Sequence, residues 1–533
     1  MKYTLRLCLL VILAFCLTVS VAGAQEAGGT FRTSMQAGCE LPTLSTSCGA
    51  RMEALVMQPL AALKWAGDEL VPLLAESWET DESAQVWTFH LREGVTWHDG
   101  EPFDAEDVVF AYNAHVDPAI GSRHHTNLVD ILGYDEFIAG EAESLAGVTA
   151  LDEYTVQFEL KAPNPLWALL FQSRILILPE HLLGDVPKDQ LLTAPYWYDR
   201  VGIGPFKWEN YEADQFIELV RNDDYFLGAP LLERVVIQLY ADASGHLNAL
   251  ENGEIDEIAF ETLLLPVNEA DRFDDNPEIT VKANQDAGLP AFLLLNLEQD
   301  FLQDVRVRQA MMYAIDRETI VAELWQGSAR VANTMFPMDW VWSENLNEYP
   351  YDPDMARQLL TEAGWDSSRQ IDLVYTYPDS LSADLIVAIQ SYLADVGINV
   401  QPRRIDTATQ GQMFTDGTYE MGYAANGQGL DPSLGNVLNS CGGRLSFGYC
   451  NERIEELFTL GSQSADRAER APFYQEIGDI LNQELPKIWL WYQSRPIAYN
   501  NRIVGLGETW AETPVLHFGV PYYTAVETWY VQD

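Results

Sequence analysis

The sequence predicts an α/β protein of more than one domain, and three observations carry that prediction. The chain has 533 residues, too many for one hydrophobic core and enough for two to four domains. Ile371 to Tyr375, a helical stretch from Ala383 to Val396 closed by Gly397, and Ile398 to Gln401 form a β-α-β unit; such a crossover implies parallel strands in a sheet covered by helices. Between Leu70 and Asn113 a strand period of two gives way to a helical period, so a strand also leads into a helix in the first half of the chain.

Taken in order, the chain begins with a segment unlike the rest. Lys2 and Arg6 precede an apolar run from Leu7 to Val21, and Ala22-Gly23-Ala24 supplies the small residues of a signal-peptidase site before Gln25,. Residues 1–24 are expected to be a signal peptide cleaved after Ala24. An uncleaved anchor would be of marginal length for a bilayer span, and a lipoprotein signal would need a small residue where Phe15 precedes Cys16. Thr30 to Met35 then reads as a strand, followed by Glu40-Leu41-Pro42-Thr43-Leu44.

Val86 to Leu91 places Trp87, Phe89 and Leu91 on one side of a half-buried strand,. Arg92-Glu93-Gly94 is expected to turn it into a second strand, Val95-Thr96-Trp97, ended by Asp99-Gly100, so that the block opens as a hairpin. Asp104 stands at an N-cap with Asp107 three residues on, a capping-box variant, and Val108, Ala111, Tyr112 and His115 repeat at helical spacing,. Tyr154 to Leu160 alternates as a strand, Leu166 to Ile177 is apolar enough to be buried, Val235 to Tyr240 is a strand, and Leu247 to Asp256 is a short helix ended by a glycine. Asp304 caps a helix with Val307, Ala310, Met311, Ala314 and Ile315 on one face. Asp352-Pro353 opens another, with Ala356, Leu359, Leu360 and Ala363 as its stripe and Gly364 as its stop,. Ile488 to Tyr499 is aromatic and strand-like.

The four cysteines beyond the signal, Cys39, Cys48, Cys441 and Cys450, are an even number in an exported chain and read as disulfides,. The simplest pairing is local, Cys39 with Cys48 and Cys441 with Cys450; a four-cysteine zinc site competes but lacks any closely spaced pair. The formal net charge of −49 argues against nucleic acid and anionic membrane surfaces as partners. It suits either a basic ligand or a solvated acidic exterior. No nucleophile elbow, H-E-x-x-H, Walker loop or metal spacing is present, and the glycines of Val201-Gly202-Ile203-Gly204-Pro205 lack the lysine, serine or helix start of a phosphate loop,. Of the histidines only His124 and His125 adjoin, and chain neighbours usually point apart. Neither catalysis, a metal nor a cofactor is expected.

The first block closely resembles the signature of the family 5 extracellular solute-binding proteins, which deliver oligopeptides, dipeptides, nickel or oligosaccharides to ABC importers. Its matching residues are Leu74-Ala75-Glu76-Ser77-Trp78, Trp87 to Leu91, Arg92, Gly94, Val95, Trp97-His98-Asp99-Gly100 and Ala105-Glu106-Asp107-Val108. Two later landmarks agree: Val201 to Trp208 with Arg221 to Tyr225, and Val305 to Arg317. The resemblance implies an α/β, periplasmic-binding-protein-like fold of two lobes closing on a ligand, with a hinge of two crossings. It divides the mature chain into a discontinuous lobe I (25–66, 195–288 and 492–533), an extra subdomain of lobe I (67–194) and lobe II (289–491).

The resemblance also implies where a ligand sits. Gly422 to Pro432 is similar to the family loop, often G-W-x-x-D-x-x-D-P, that lines the cleft and pairs a carboxylate with the amino terminus of a peptide. Asn426 occupies that carboxylate's position, which puts α-amine anchoring in doubt and suits a neutral, hydroxyl-rich ligand. Tyr423, Asn426, Gln428 and Asp431 are the expected loop contacts, although Asp431 also suits a cap on the next turn. Glu40 stands in the N-terminal loop that borders the cleft, bracketed by Cys39 and Cys48. Arg404, at the end of the β-α-β unit, would answer a carboxylate, and Trp340 would offer a stacking face. The expected function is capture of a small extracellular ligand, first an oligopeptide and next an oligosaccharide, by a monomer that hands it to ABC permease subunits. An exported hydrolase and a sensory binding module are the alternatives, and the place of action is periplasmic or extracytoplasmic.

Overall fold

The computed structural model describes residues 28–37, 44, 50–63, 69–122, 124–171, 175–258, 265–282, 289–326, 328–377, 379–425, 431–435, 441, 447–493, 496–507 and 525–532. The expected signal peptide, residues 1–24, lies outside them. Strands and helices build an α/β fold with two large hydrophobic cores, which are the cores of two lobes. Among the described residues no helix is long and apolar enough to cross a membrane.

The first core is fed by two sheets. In one, Thr30–Gln36 runs parallel to Arg234–Tyr240, and Phe216–Arg221 and Phe206–Glu212 follow antiparallel. In the other, Ala75–Thr80, Val86–Leu91, Thr155–Glu159 and Val148–Asp152 are antiparallel neighbours in that order. Trp87, Phe89 and Leu91 are buried while Val86, Thr88 and His90 are half-exposed, the alternation that the period of two demands.

The expected hairpin is corrected. Val95-Thr96-Trp97 does not pair with Val86–Leu91; Thr96 bridges Pro102, the Trp97 N–H donates to the carbonyl of Glu101 at 2.8 Å, and the partners of the strand are Ala75–Thr80 and Thr155–Glu159. Three residues make too short a ladder to compete with two longer strands that bury the same aromatic face. The helix that follows, Ala105–Val116, carries the full capping box, with Asp104 accepting from the N–H groups of Glu106 and Asp107 and Asp107 reaching back to the N–H of Asp104.

The second core surrounds a mixed six-stranded sheet in the order Ala329–Val331, Lys487–Gln493, Leu289–Leu295, Met421–Ala425, Gln370–Tyr375, Asn399–Arg404. The last three strands are mutually parallel, and helix Ser380–Asp395 makes the expected crossover. Helix Pro353–Ala363 begins on the Asp352 cap and stops at Gly364, whose φ of +69° is a left-handed value that favours glycine,. Helix Val305–Ala314 buries Val307, Ala310, Met311 and Ala314 as its spacing requires.

Between the two cores the chain passes twice. A three-stranded sheet places Ile497–Asn500 between Glu257–Ile258 and Ile279–Lys282, with Lys282 opposite Ile497. Across the passage, Leu289 is opposite Gln493. The stretch from Ile488 to Tyr499 is therefore two strands in two sheets, parted before Ile497 by Pro496, which has no N–H to give to a ladder,. Below the passage, Arg502 grips Asp256 through two bonds of 2.6 and 2.7 Å, and Asp256 accepts the N–H of Arg32 at 2.8 Å, so the returning segment is tied to the first strand.

Candidate functional site

The register of the six-stranded sheet selects one of its edges. Ala425, the last residue of its strand, lies opposite Ala291, two positions from Leu289, which faces Gln493 at the passage between the lobes. Tyr375 and Arg404 are opposite one another at the ends of the two strands parallel to it. Three carboxyl ends therefore emerge on the side from which both crossings leave. That is where open α/β sheets present loops to a ligand.

At the outer end, Arg404 is exposed, and no described residue pairs with its guanidinium. With Thr376, Ile405, Asp406 and Thr409 it lines an open cavity of about 600 Å³. Asp406 is not available to it: this carboxylate caps helix Thr407–Asp416, accepting from the N–H and the hydroxyl of Thr409 at 2.9 and 2.6 Å.

Further in, aromatic rings back the edge. Tyr423 lies with its ring 5.7 Å from that of Tyr377 and 6.3 Å from that of Trp491, and Trp325 is 6.2 Å from Trp491. Tyr423 is buried, and burial pushes its phenol well above the ordinary range. It packs under the edge and exposes almost nothing. The Tyr377 hydroxyl accepts the N–H of Ala425 at 3.2 Å, and Gln410 donates to the Tyr423 carbonyl at 3.5 Å, so the strand is held by side chains up to its last residue.

Residues 426–430, with the candidates Asn426 and Gln428, lie outside the described residues, as do Glu40 and the expected Cys39–Cys48 bridge. The described chain resumes at Asp431, which is buried. Its Oδ1 accepts from the N–H and hydroxyl of Ser433 at 2.9 and 2.6 Å, capping the turn Pro432–Gly435, and Arg470 donates to Oδ2 and Oδ1 at 2.7 and 2.5 Å. Burial works to lower the Arg470 guanidinium, but Asp431 outweighs it and holds the group above its ordinary value,. Trp340 is half-buried beside this pair, its ring 5.7 Å from the Arg470 guanidinium and 6.2 Å from the Tyr474 ring. Trp340 and Asp431, 91 positions apart in the chain, thus meet through Arg470.

Sequence reasoning missed Arg470, Tyr377 and Gln410. Arg470 had a signal: it stands in register with Tyr474, Ile477 and Leu481 on the buried stripe of helix Arg467–Glu484, and a cation on an apolar stripe needs an ion partner. Cys441 and Cys450 are bonded as expected, and the Cys441 N–H donates to Glu455 at 2.5 Å. His124 sits edge-on to His115, whose nitrogens face the Ser122 hydroxyl and the Leu176 carbonyl. Among the described residues no group of three or more His, Cys, Asp or Glu is placed to hold a metal ion.

Comparison with known proteins places the chain in a family and a fold. The sequence model of the bacterial extracellular solute-binding proteins, family 5, matches residues 69–444. A Brucella ovis protein that carries the name of an ABC transporter peptide-binding protein is 30% identical over 490 residues, covering 89% of this chain and 88% of its own. The heme-binding protein A of Haemophilus influenzae is 29% identical over 458 residues, 81% of each. Among solved structures, the oligopeptide-binding protein AppA of Bacillus subtilis, in complex with a nonapeptide, superposes with a TM-score of 0.75 over 95% of this chain and 100% of its own, at 20% identity; at that identity the likeness is one of fold.

Proposed function

Because the chain belongs to the family 5 bacterial extracellular solute-binding proteins, we propose that it captures an oligopeptide between its two lobes outside the cytoplasmic membrane and delivers it to the permease of an ABC importer. It does so by lobe closure without chemistry. One relationship carries the reading: the carboxyl edge of the second sheet opens toward the two crossings, so movement about the crossings brings the first lobe over that edge. The peptide class is supported by the Brucella relative of this chain. Lobe II is taken as 289–491, lobe I as 25–66, 195–288 and 492–533, and 67–194 as its subdomain.

In this reading Arg404 holds a ligand carboxylate, and Asn426, Gln428 and Glu40 are ligand contacts. Trp340, Tyr423 and Asp431 complete the set of residues assigned to binding. Asn426 favours a second reading, an oligosaccharide, since an amide forms no ion pair with an α-amine but bonds well to hydroxyls.

A thermal-shift screen of the chain from Gln25 against short peptides, oligosaccharides, haemin and Ni²⁺ tests the proposal. A ligand at a thousand times its dissociation constant adds about 4 kcal/mol to stability. Shifts with peptides alone support the first reading, shifts with sugars alone the second, and turnover of any of them removes the binding-only assignment.

A further inference from the structure

Two opposite charges line one cavity at the carboxyl edge of the second sheet and do not neutralise one another. Arg404 and Asp406, with Thr376, Ile405 and Thr409, wall the open space of about 600 Å³, a volume in the range of small-ligand pockets. Arg403, on the other face of the same strand, is taken up by Asp372, to which it donates from Nε and Nη2 at 3.1 and 2.5 Å. Arg404 has no such partner among the described residues. Asp406 accepts from the N–H and hydroxyl of Thr409 at 2.9 and 2.6 Å, and both of these donors are neutral. The Thr409 hydroxyl, and then its N–H, hold the Asp406 carboxyl below its ordinary value, so it is ionised at neutral pH and its charge is left for a cation.

We propose that this cavity receives the last residue of the ligand and selects a basic side chain there, lysine or arginine, with Arg404 on the α-carboxylate and Asp406 on the side-chain cation. The proposal rests on the oligopeptide reading and adds the chemistry of one end of the ligand. Arg404 holds a carboxylate in that reading, so the side chain of the residue that bears it lies in the same cavity. An aliphatic side chain would meet Ile405 and the threonine methyls, and would take water from the Asp406 carboxylate without pairing it. An acidic side chain would compete for Arg404 and face Asp406 as a like charge. A basic side chain pairs the charge that is left. The net charge of −49 draws basic peptides toward the chain as a whole, but a local carboxylate makes the position of the basic residue matter.

The test separates the local carboxylate from the field of the whole chain. Isothermal titration of the chain from Gln25 compares tetraalanine followed by lysine, by leucine or by glutamate, and the leucine peptide with its first alanine replaced by lysine. The peptide ending in lysine is expected to bind about fivefold tighter than the one ending in leucine, the one ending in glutamate weakest, and lysine at the first position to change the leucine peptide by less than about twofold. Asparagine caps a helix as well as aspartate does, so Asp406→Asn should keep the parent Tm while bringing the peptides ending in lysine and leucine within about twofold of each other. An equal gain from lysine at either end overturns the proposal, as does a preference for terminal lysine that survives D406N. Should that variant fail to fold, Asp406→Ser, also a good cap, takes its place with the same outcomes. Should the parent bind none of the peptides, the oligopeptide reading falls by itself, and ligand-observed NMR with Nα-acetyl-lysine and Nα-acetyl-leucine decides this one: a lysine preference that Asp406→Asn abolishes supports it, and no binding or no preference overturns it.

Discussion

His98 accepts the backbone N–H of Gly202 at Nδ1, 3.1 Å away, and its Nε2 faces the Gly204 carbonyl at 3.0 Å. An imidazole with one acceptor and one donor so engaged is the neutral tautomer. The bond joins two stretches that the sequence presents as separate landmarks, Trp97 to Gly100 and Val201 to Trp208. The glycines are needed there because a Cβ at Gly202 would collide with the Val56 carbonyl oxygen.

That geometry makes stability fall in mild acid. Burial lowers the His98 pKa from 6.5 to about 4, the Gly204 carbonyl opposes the shift, Lys207 adds to it and Asp99 resists it. Between those values the unfolded chain binds the proton that the folded chain refuses, so stability rises with pH. The contribution is complete above pH 6.5 and is lost as pH falls toward 4. For this half-buried ring we expect about 2 kcal/mol. Denaturant titrations at pH 7 and pH 4.5 should show His98→Gln well below the parent at the higher pH and close to it at the lower; an equal gap at both would exclude the imidazole.

Asp107 is the second joint of the same block. It accepts from the Trp97 indole at 2.9 Å, the Glu180 N–H at 2.9 Å and the Asp104 N–H at 3.3 Å, while burial raises its pKa. Asp107→Ala leaves three donors unpaired and should cost about 3 kcal/mol, and Trp97→Phe, which removes one, about 1 kcal/mol. Urea midpoints measure both. If Asp107→Ala costs no more than Trp97→Phe, the cap and the Glu180 bond carry nothing.

The Cys441–Cys450 bond closes a loop by a sequence separation of 9, for which the chain-entropy model gives about 2.7 kcal/mol. The double substitution to serine should lower the stability of the lobe that carries it by about that amount, with the Cys441 contact to Glu455 weakened too. Chemical denaturation with and without reductant measures the effect, and a parent protein indifferent to reductant would count against it.

What was legible in the sequence was chiefly local. Asp104 with Asp107, and Asp352 with Gly364, announce helix ends because their bonds span three or four residues, and the β-α-β unit announces itself through two periods and a crossover. Pairing over long separations was not legible. Val86–Leu91 finds its partners at 75–80 and 155–159 rather than at 95–97, because burial of one aromatic face, a property of the assembled sheet, decides between them. In the site, the strand ends and Arg404 could be placed from the pattern. Arg470 could not be matched with Asp431, since 39 residues and a whole helix separate two groups whose pairing only the packed lobe defines.

Arg404 offers a direct probe of the cavity at the sheet edge. With no described partner and an exposed guanidinium, its removal leaves the fold intact, so Arg404→Ala should change Tm little. A carboxylate ligand should lose about 1.5 kcal/mol or more of binding, roughly tenfold, while the C-terminally amidated peptide should bind parent and variant alike. Isothermal titration with the two peptides checks this, and an equal loss for both would place the carboxylate elsewhere.

Asn426 gives the sharpest question about ligand class. An α-ammonium facing an amide gains an ordinary hydrogen bond, whereas facing a carboxylate it gains a charge-assisted one about twice as strong. The parent should therefore bind a peptide and its N-acetylated form with affinities within about threefold, a gap of about 0.7 kcal/mol. Asn426→Asp should favour the free amine by about tenfold or more, by adding attraction for one ligand and an unpaired charge against the other. The same substitution should weaken a sugar, if a sugar is the ligand, because a desolvated carboxylate without a cation is costly. Competition binding with the paired peptides, run on both proteins, reads the effect. A parent that already prefers the free amine by tenfold would mean that another acidic group holds the amino terminus, and in an 80-carboxylate chain the search would start at Glu40.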